Sequence, residues 1–166
     1  MASFGLKSNR RLSTCHPTLQ LIFRRAVLDF DCTIIQGHRH QEAQTKAYNS
    51  GTSTVKWPDS KHNSTPSMAV DCGPWVRGTG MPWKDIPQIC YFAGYVMRLA
   101  EQMFLDGEID YLLRWGGDWN SNRLIRDQKL MDYTHFELIN SGSNYASFER
   151  KRDKQQLIEP MTGESR

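Results

Sequence analysis

The sequence predicts an α+β fold, with helices packed on a small antiparallel sheet. Two segments, 17–28 and 85–106, carry apolar residues at helical spacing, and four short segments, 30–35, 68–72, 109–115 and 135–139, read as strands. The two kinds of element mix without the regular βαβ alternation of a parallel sheet.

The elements follow in order. Pro17 suits the first position of a helix, and Leu19, Ile22, Phe23, Ala26 and Val27 fit the i, i+3, i+4, i+7, i+8 template. The run F-D-C-T-I-I over 30–35 alternates, ends β-branched and closes at Gly37. A helix rich in Gln, Ala and Glu is expected over 40–49, with Gly51 just past its end. Residues 51–67 hold Gly, Ser, Thr, Asn and two prolines, and a loop of that length in a compact domain is usually functional. M-A-V-D-C over 68–72 is a short strand ending at Gly73-Pro74. Ile86, Ile89, Ala93, Val96, Met97, Ala100, Met103 and Phe104 trace one stripe along the longest helix, which Gly107 ends. The last two strands flank Gly116-Gly117 and a polar stretch. Beyond Asn140 the periodicity fades and nine charges, five basic and four acidic, leave little that could form a core. Residues 1–139 are therefore expected to form one domain and 140–166 a charged tail.

Length and composition narrow the class. A chain of 166 residues is about one domain. Its 39% hydrophobic and 23% charged residues, with a mean hydropathy of -0.62, fit a globular protein. No apolar run approaches the ~18–20 residues of a membrane span. The net charge of +3 is uneven: residues 1–25 hold five basic groups and no acid, and the remainder sums to -2. That start could bind nucleic acid or be the solvated face of a first helix; the acidic remainder favours no nucleic-acid partner. It lacks the apolar region of a secretory signal, so synthesis in the cytoplasm is expected. Cys15, Cys32, Cys72 and Cys90 are too scattered for a zinc ribbon or a disulfide framework and read as reduced packing residues. Most of the five tryptophans are expected to pack, and Asp118, after two glycines, reads as a structural turn residue.

Three polar features stand out: His62 in the long loop, Asp71 inside an apolar strand, and Asp132-x-x-His135 leading into the last strand. A half-buried carboxylate is costly unless paired or bound to metal. Two imidazoles and a carboxylate form a familiar catalytic zinc set with a fourth position open to water. Glu137 alternates with His135 and could support it from behind. Each has a plainer explanation: His62 as a solvated loop residue, Asp71 and Asp132 as turn caps. Their combination is the stronger signal.

Ser60-Lys61-His62-Asn63 followed by Pro66-Ser67-Met68-Ala69-Val70-Asp71 resembles the S-x-H-N-x-x-P-S-x-A-V-D segment of phage endolysins. These belong to the VanY-like D-alanyl-D-alanine carboxypeptidase and L-alanyl-D-glutamate peptidase family, which has the hedgehog/DD-peptidase fold. Phe4 and Ser8 to Leu19 are similar to the family's opening helix; Asp31 to Arg39, Gln44 and Gly51-Thr52-Ser53 to its next motif. Arg114 to Trp119 and Asp132 to Leu138 are similar to its closing motifs. The likeness spans residues 4–139. His40 stands where the family usually has Thr and Gln36 where it has Glu, and the His62–Asp71 interval is two residues longer than in the compact version.

The resemblance implies one zinc ion per chain, held by His62, Asp71 and His135, with Asp132 as general base and Ser60 as a substrate contact. Arg39 would stabilise developing negative charge or grip a substrate carboxylate; by composition alone it is a surface arginine. His38 and His40 are expected to be solvated. The implied activity is hydrolysis of the L-Ala–D-Glu bond of the peptidoglycan stem by a monomeric endolysin that reaches the wall after release from the host cytoplasm. The alternatives are a D,D-carboxypeptidase and a non-catalytic wall-binding module on the same fold. The tail could engage an anionic outer envelope.

Overall fold

The computed structural model describes residues 2–127 and 129–140. The elements are α1 (Leu6–Leu12), α2 (Pro17–Asp29), β1 (Cys32–Gln36), α3 (Gln41–Asn49), a 3-10 turn (Lys61–Asn63), β2 (Ala69–Pro74), α4 (Ile86–Leu105), β3 (Tyr111–Trp115) and β4 (His135–Asn140). The four strands form one antiparallel sheet in the order β1-β2-β4-β3, so the predicted α+β class holds. Among the described residues, no helix is long and apolar enough to cross a membrane. The predicted tail, apart from Asn140, lies outside the described residues.

Alternation along the strands gives the sheet two unlike faces. Val70, Cys72, Leu113, Phe136 and Leu138 enter the core with the apolar stripes of α2 and α4. Phe136 is fully buried, edge-on to Phe23 at a centroid distance of 5.4 Å and to Phe92 at 6.3 Å. Asp71, Arg114, His135 and Glu137 alternate with these residues and fall on the opposite face. On that side Asp71 stands directly across from His135, and Arg114 from Glu137.

Several boundaries differ from the expected ones for identifiable reasons. The strand predicted at 30–35 begins at Cys32, because α2 continues to Asp29 and Phe30 caps it. Phe30 packs on Phe92 at 5.2 Å instead of joining the sheet. β2 continues through Gly73-Pro74, where Pro74 pairs with Cys32. β3 starts at Tyr111, two residues later than expected, although Ile109 is buried. Asp85 and Asp106 are caps of α4, with Asp85 accepting from the Gln88 amide at 3.1 Å.

No hydrophobic pattern signals α1, because only Ser8 and Leu12 of this helix are buried. Its work is polar. The Ile34 amide donates to Ser8 Oγ at 3.1 Å and Arg11 Nη1 donates to the Ile34 carbonyl at 2.8 Å. The helix thereby covers the outer edge of β1, which would otherwise offer unpaired backbone groups.

Cys15, Cys32 and Cys72 are buried and Cys90 half-buried, all as free thiols. Burial pushes the Cys15 thiol up to about 12. Trp115 is buried as expected, whereas Trp75 and Trp83 are 46% and 59% exposed.

Truncating the ring that ties the sheet to both long helices should be costly. Phe136→Ala is expected to lower the unfolding free energy by about 3–5 kcal/mol, read from the shift of the urea midpoint.

Candidate metal centre and active site

β2 and β4 supply the site's first two groups. Asp71 and His135 meet through their cross-strand register, with His135 Nδ1 3.2 Å from Asp71 Oδ1. His62 comes from the long loop, carried by the 3-10 turn. Ser60 caps that turn, its hydroxyl accepting from the His62 amide at 3.3 Å, and Asn63 Oδ1 accepts from the Ser60 amide at 3.2 Å. The turn is tied to the residue just before β2 through Met68 N to Lys61 O at 3.0 Å, and to the chain before α3 through Arg39 N to His62 O at 2.8 Å. His62 Nε2 then lies 3.1 Å from Asp71 Oδ1 and 3.2 Å from His135 Nδ1.

The hydrogen bonds at the far side of each ring decide what faces inward. His62 Nδ1 is 2.8 Å from the Gly37 carbonyl oxygen, which can only accept, so Nδ1 carries the proton and Nε2 presents a lone pair. His135 Nε2 donates to Glu137 Oε2 at 3.1 Å, leaving Nδ1 facing Asp71. With His135 neutral, two imidazole lone pairs and a carboxylate oxygen converge, an arrangement that calls for a positive charge between them. Their separations of 3.1–3.2 Å approach the ~3.3 Å edge of a tetrahedron with zinc bonds of about 2.0–2.1 Å. Among the described residues these three offer ligand atoms all within 4.8 Å of one another. The donor set fits a divalent metal with N/O preference.

The electrostatics agree. Burial alone would raise the Asp71 carboxyl, but the adjoining His62 and His135 hold it well below the usual carboxylate range. Burial would lower His135; hydrogen bonds to Asp71 and Glu137 outweigh it and push the imidazole up to about 9. Burial likewise opposes the charge of Glu137, yet His135 and Arg114 bring it down to about 2. In the metal-free protein a proton on His135 supplies the charge that the site demands.

Asp132 is placed by the tight turn into β4. Its amide donates to the Gly116 carbonyl at 3.0 Å and its carbonyl accepts from the His135 amide at 3.1 Å. Gly116 allows this approach, since a methyl there would collide with the Asp132 carbonyl oxygen and press on the His135 side chain. Burial, then the Asp71 charge, raises the Asp132 carboxyl. Arg39 is largely buried, with Nη2 3.5 Å from Asp71 Oδ2 and Nη1 3.2 Å from Gln44 Oε1. His38 and His40 pair with each other at a ring distance of 4.4 Å, and neither is among the three residues whose ligand atoms converge. Asp118 accepts from the amides of Asn122 and Arg123 at 3.0 and 2.8 Å, holding its loop.

Sequence reasoning left three supporting side chains without a role. Gln44, fully buried, accepts from Arg39 and from Asn63 Nδ2 while donating to Ser53 Oγ at 3.0 Å and to the Val55 carbonyl. Arg114 pairs with Glu137, its Nε 3.0 Å from Oε1, and lies over Trp119 at 5.5 Å. Trp119 in turn lies against the His135 ring at 5.4 Å. An arginine within the apolar strand Y-L-L-R-W carried the same signal as the aspartate in M-A-V-D-C.

Residues 1–139 match the family described as phage L-alanyl-D-glutamate peptidase. The L-alanyl-D-glutamate peptidase of Escherichia phage T5 is 33% identical over 141 residues, covering 82% of this chain and 97% of that protein. Among solved structures, the Serratia marcescens L-Ala D-Glu endopeptidase ChiX superposes with a TM-score of 0.64 at 24% identity, covering 82% of this chain and 90% of that one. The vancomycin-resistance D,D-dipeptidase VanXYg superposes with a TM-score of 0.46 at 18% identity, over 85% of this chain and 56% of that one. The chain belongs to the phage L-alanyl-D-glutamate peptidase family.

Proposed function

We propose that the chain is a zinc-dependent peptidoglycan peptidase of the endolysin type, which hydrolyses the L-Ala–D-Glu bond of the stem peptide. The observation that carries this is the convergence of His62 Nε2, Asp71 Oδ1 and His135 Nδ1 in a member of this family. The name of the phage T5 relative supports the choice of bond. The family match over residues 1–139 supports reading that span as the catalytic unit. Action on the wall after release from the host cell follows from this reading.

The three residues would hold one zinc ion, which when bound supplies Lewis acidity and a water of lowered pKa. The chain's own groups do the rest. Asp132, its carboxyl raised by burial and by Asp71, accepts a proton from the attacking water and returns it to the leaving amine. Arg39 keeps Asp71 Oδ2 in place and turns the remainder of its guanidinium to negative charge on the substrate. Ser60 orients His62 through its cap and can donate its hydroxyl proton to the peptide. Gly37 and Glu137 fix the two imidazoles from behind.

Zinc binding should be proton-linked. His135 binds through the nitrogen facing Asp71, and without metal it keeps its extra proton up to about 9. Apparent zinc affinity is therefore expected to rise about tenfold per pH unit toward that value and level off above it. Calorimetry in buffers of different ionisation enthalpy should find about one proton released per zinc at neutral pH. Replacing the outer partner, Glu137→Gln, should weaken zinc about 10–100-fold, measured by competition with a chromogenic chelator.

Asp132→Asn is expected to retain one zinc per chain and lose about 10²–10⁴ in turnover. Wild-type rates from that variant would remove Asp132 from the mechanism. Mass spectrometry of digested peptidoglycan tests the bond: fragments with a new D-Glu N-terminus are expected, and release of D-alanine alone would instead identify a carboxypeptidase.

A further inference from the structure

The loop between β2 and α4 carries features that neither the core nor the metal site uses. Trp75, Val76 and Trp83 are 46%, 38% and 59% exposed. Trp75 is nevertheless held in place: its amide donates to the Asp31 carbonyl at 2.8 Å, and the benzo edge of its indole lies over Gly80. A Cβ at Gly80 would stand 3.3 Å from that ring, and Gly80 adopts φ +83, which favours glycine. Val76 and Gly80 pair across the turn. The result is a flat aromatic surface with a fixed back.

The same loop reaches the active site. Gly73 lies two residues beyond Asp71, on the same face of β2, and Met81 covers it so closely that any side chain there would strike the Met81 thioether. Thr134 borders that spot and donates from Oγ1 to Asp132 Oδ1 at 3.4 Å. Through Met81, the loop that bears the two exposed indoles is seated against the strand face that carries Asp71.

Substrate chemistry states what should lie along that loop. In peptidoglycan the stem's L-alanine is amide-linked to the lactyl group of N-acetylmuramic acid. One residue and the lactyl arm separate the sugar from the L-Ala–D-Glu bond, roughly 7–10 Å. The apolar C–H face of a pyranose is complementary to the electron-rich face of an indole. From these facts together we infer that Trp75 and Trp83 form a saccharide subsite for the glycan strand, adjoining the peptide site. This rests on the peptidase reading and adds a second substrate component to it.

The experiment compares two substrates, a stem peptide bearing the N-acetylglucosaminyl-N-acetylmuramyl disaccharide and the same peptide with a free L-alanine. The zinc-loaded wild-type chain should favour the sugar-bearing substrate through KM. Trp75→Ala with Trp83→Ala should raise KM for that substrate about tenfold, with kcat and all constants for the sugar-free peptide within about twofold. Trp75→Tyr with Trp83→Tyr should restore most of the loss, because the stacking face returns. Equal effects on both substrates, or none on either, would overturn the subsite while leaving the peptidase reading intact. So would binding of the wild-type chain, but not the double alanine variant, to anionic lipid vesicles with no change in either KM. Cleavage of neither substrate by the wild-type chain would overturn both readings.

Discussion

The antiparallel pairing of β2 with β4 is the constraint on which the site depends. It sets Asp71 opposite His135 and Val70 opposite Phe136. Side chains alternate along a strand, so one residue of slip would turn the ionisable pair into the core and the apolar pair out of it. Phe136 resists that slip through its edge contacts with Phe23 of α2 and Phe92 of α4. Packing on one face of the sheet thus fixes the chemistry on the other. A single hydrogen-bond register serves both purposes.

Around the converging atoms the protein has arranged charge with a definite sign. Asp71, Asp132 and Glu137, when ionised, supply the negative charge; Arg39 lies beside Asp71 and Arg114 beside Glu137. With both imidazoles neutral, three negative and two positive groups leave one net negative charge, and a divalent cation would turn it to one net positive. The arginines do not compete for the inward position, because each binds an oxygen that points away from it: Arg39 at Asp71 Oδ2, Arg114 at Glu137 Oε1. The carbonyl of Gly37 and the carboxylate of Glu137 complete the arrangement by removing one tautomer from each ring. Lone pairs that would repel one another are held together by bonds made on their far sides.

How much of this could be read from residues alone follows from which groups carry a side-chain signature. Asp71 was legible because an ionisable residue inside M-A-V-D-C needs a partner, and the helices of 17–28 and 85–106 were legible because their stripes are periodic. His62 and Asp132 stood out only in combination with Asp71 and His135, since a loop histidine and a turn aspartate are ordinary by themselves, and their roles came with the motif resemblance. The Gly37 carbonyl was not legible at all, because backbone acceptors leave no mark in a sequence. Arg114 became meaningful only with the register that sets it across from Glu137. α1 was legible only through the motif resemblance, because it is held through Ser8 and Arg11 on a strand edge, and hydrophobic periodicity does not report polar contacts.

Asp132 is the one acidic group of the site that no strand carries, and its placement therefore has to be inherited. The segment between β3 and β4 is fastened to β3 and to itself: Trp115 Nε1 donates to the Tyr133 carbonyl at 2.8 Å and Trp119 Nε1 to the Leu130 carbonyl at 2.9 Å. The Gly116 and Asp132 backbones then close directly on each other, and the Asp132 carbonyl takes the first amide of β4. In the proposed mechanism Asp132 is the proton acceptor, and such a group must hold its geometry to within a fraction of an ångström of the reacting atoms, which a free loop does not provide. Here the bare backbone of Gly116 and the two anchored indoles extend the rigidity of the sheet into the loop, so that a residue outside the sheet is positioned by the same pairing that aligns Asp71 with His135.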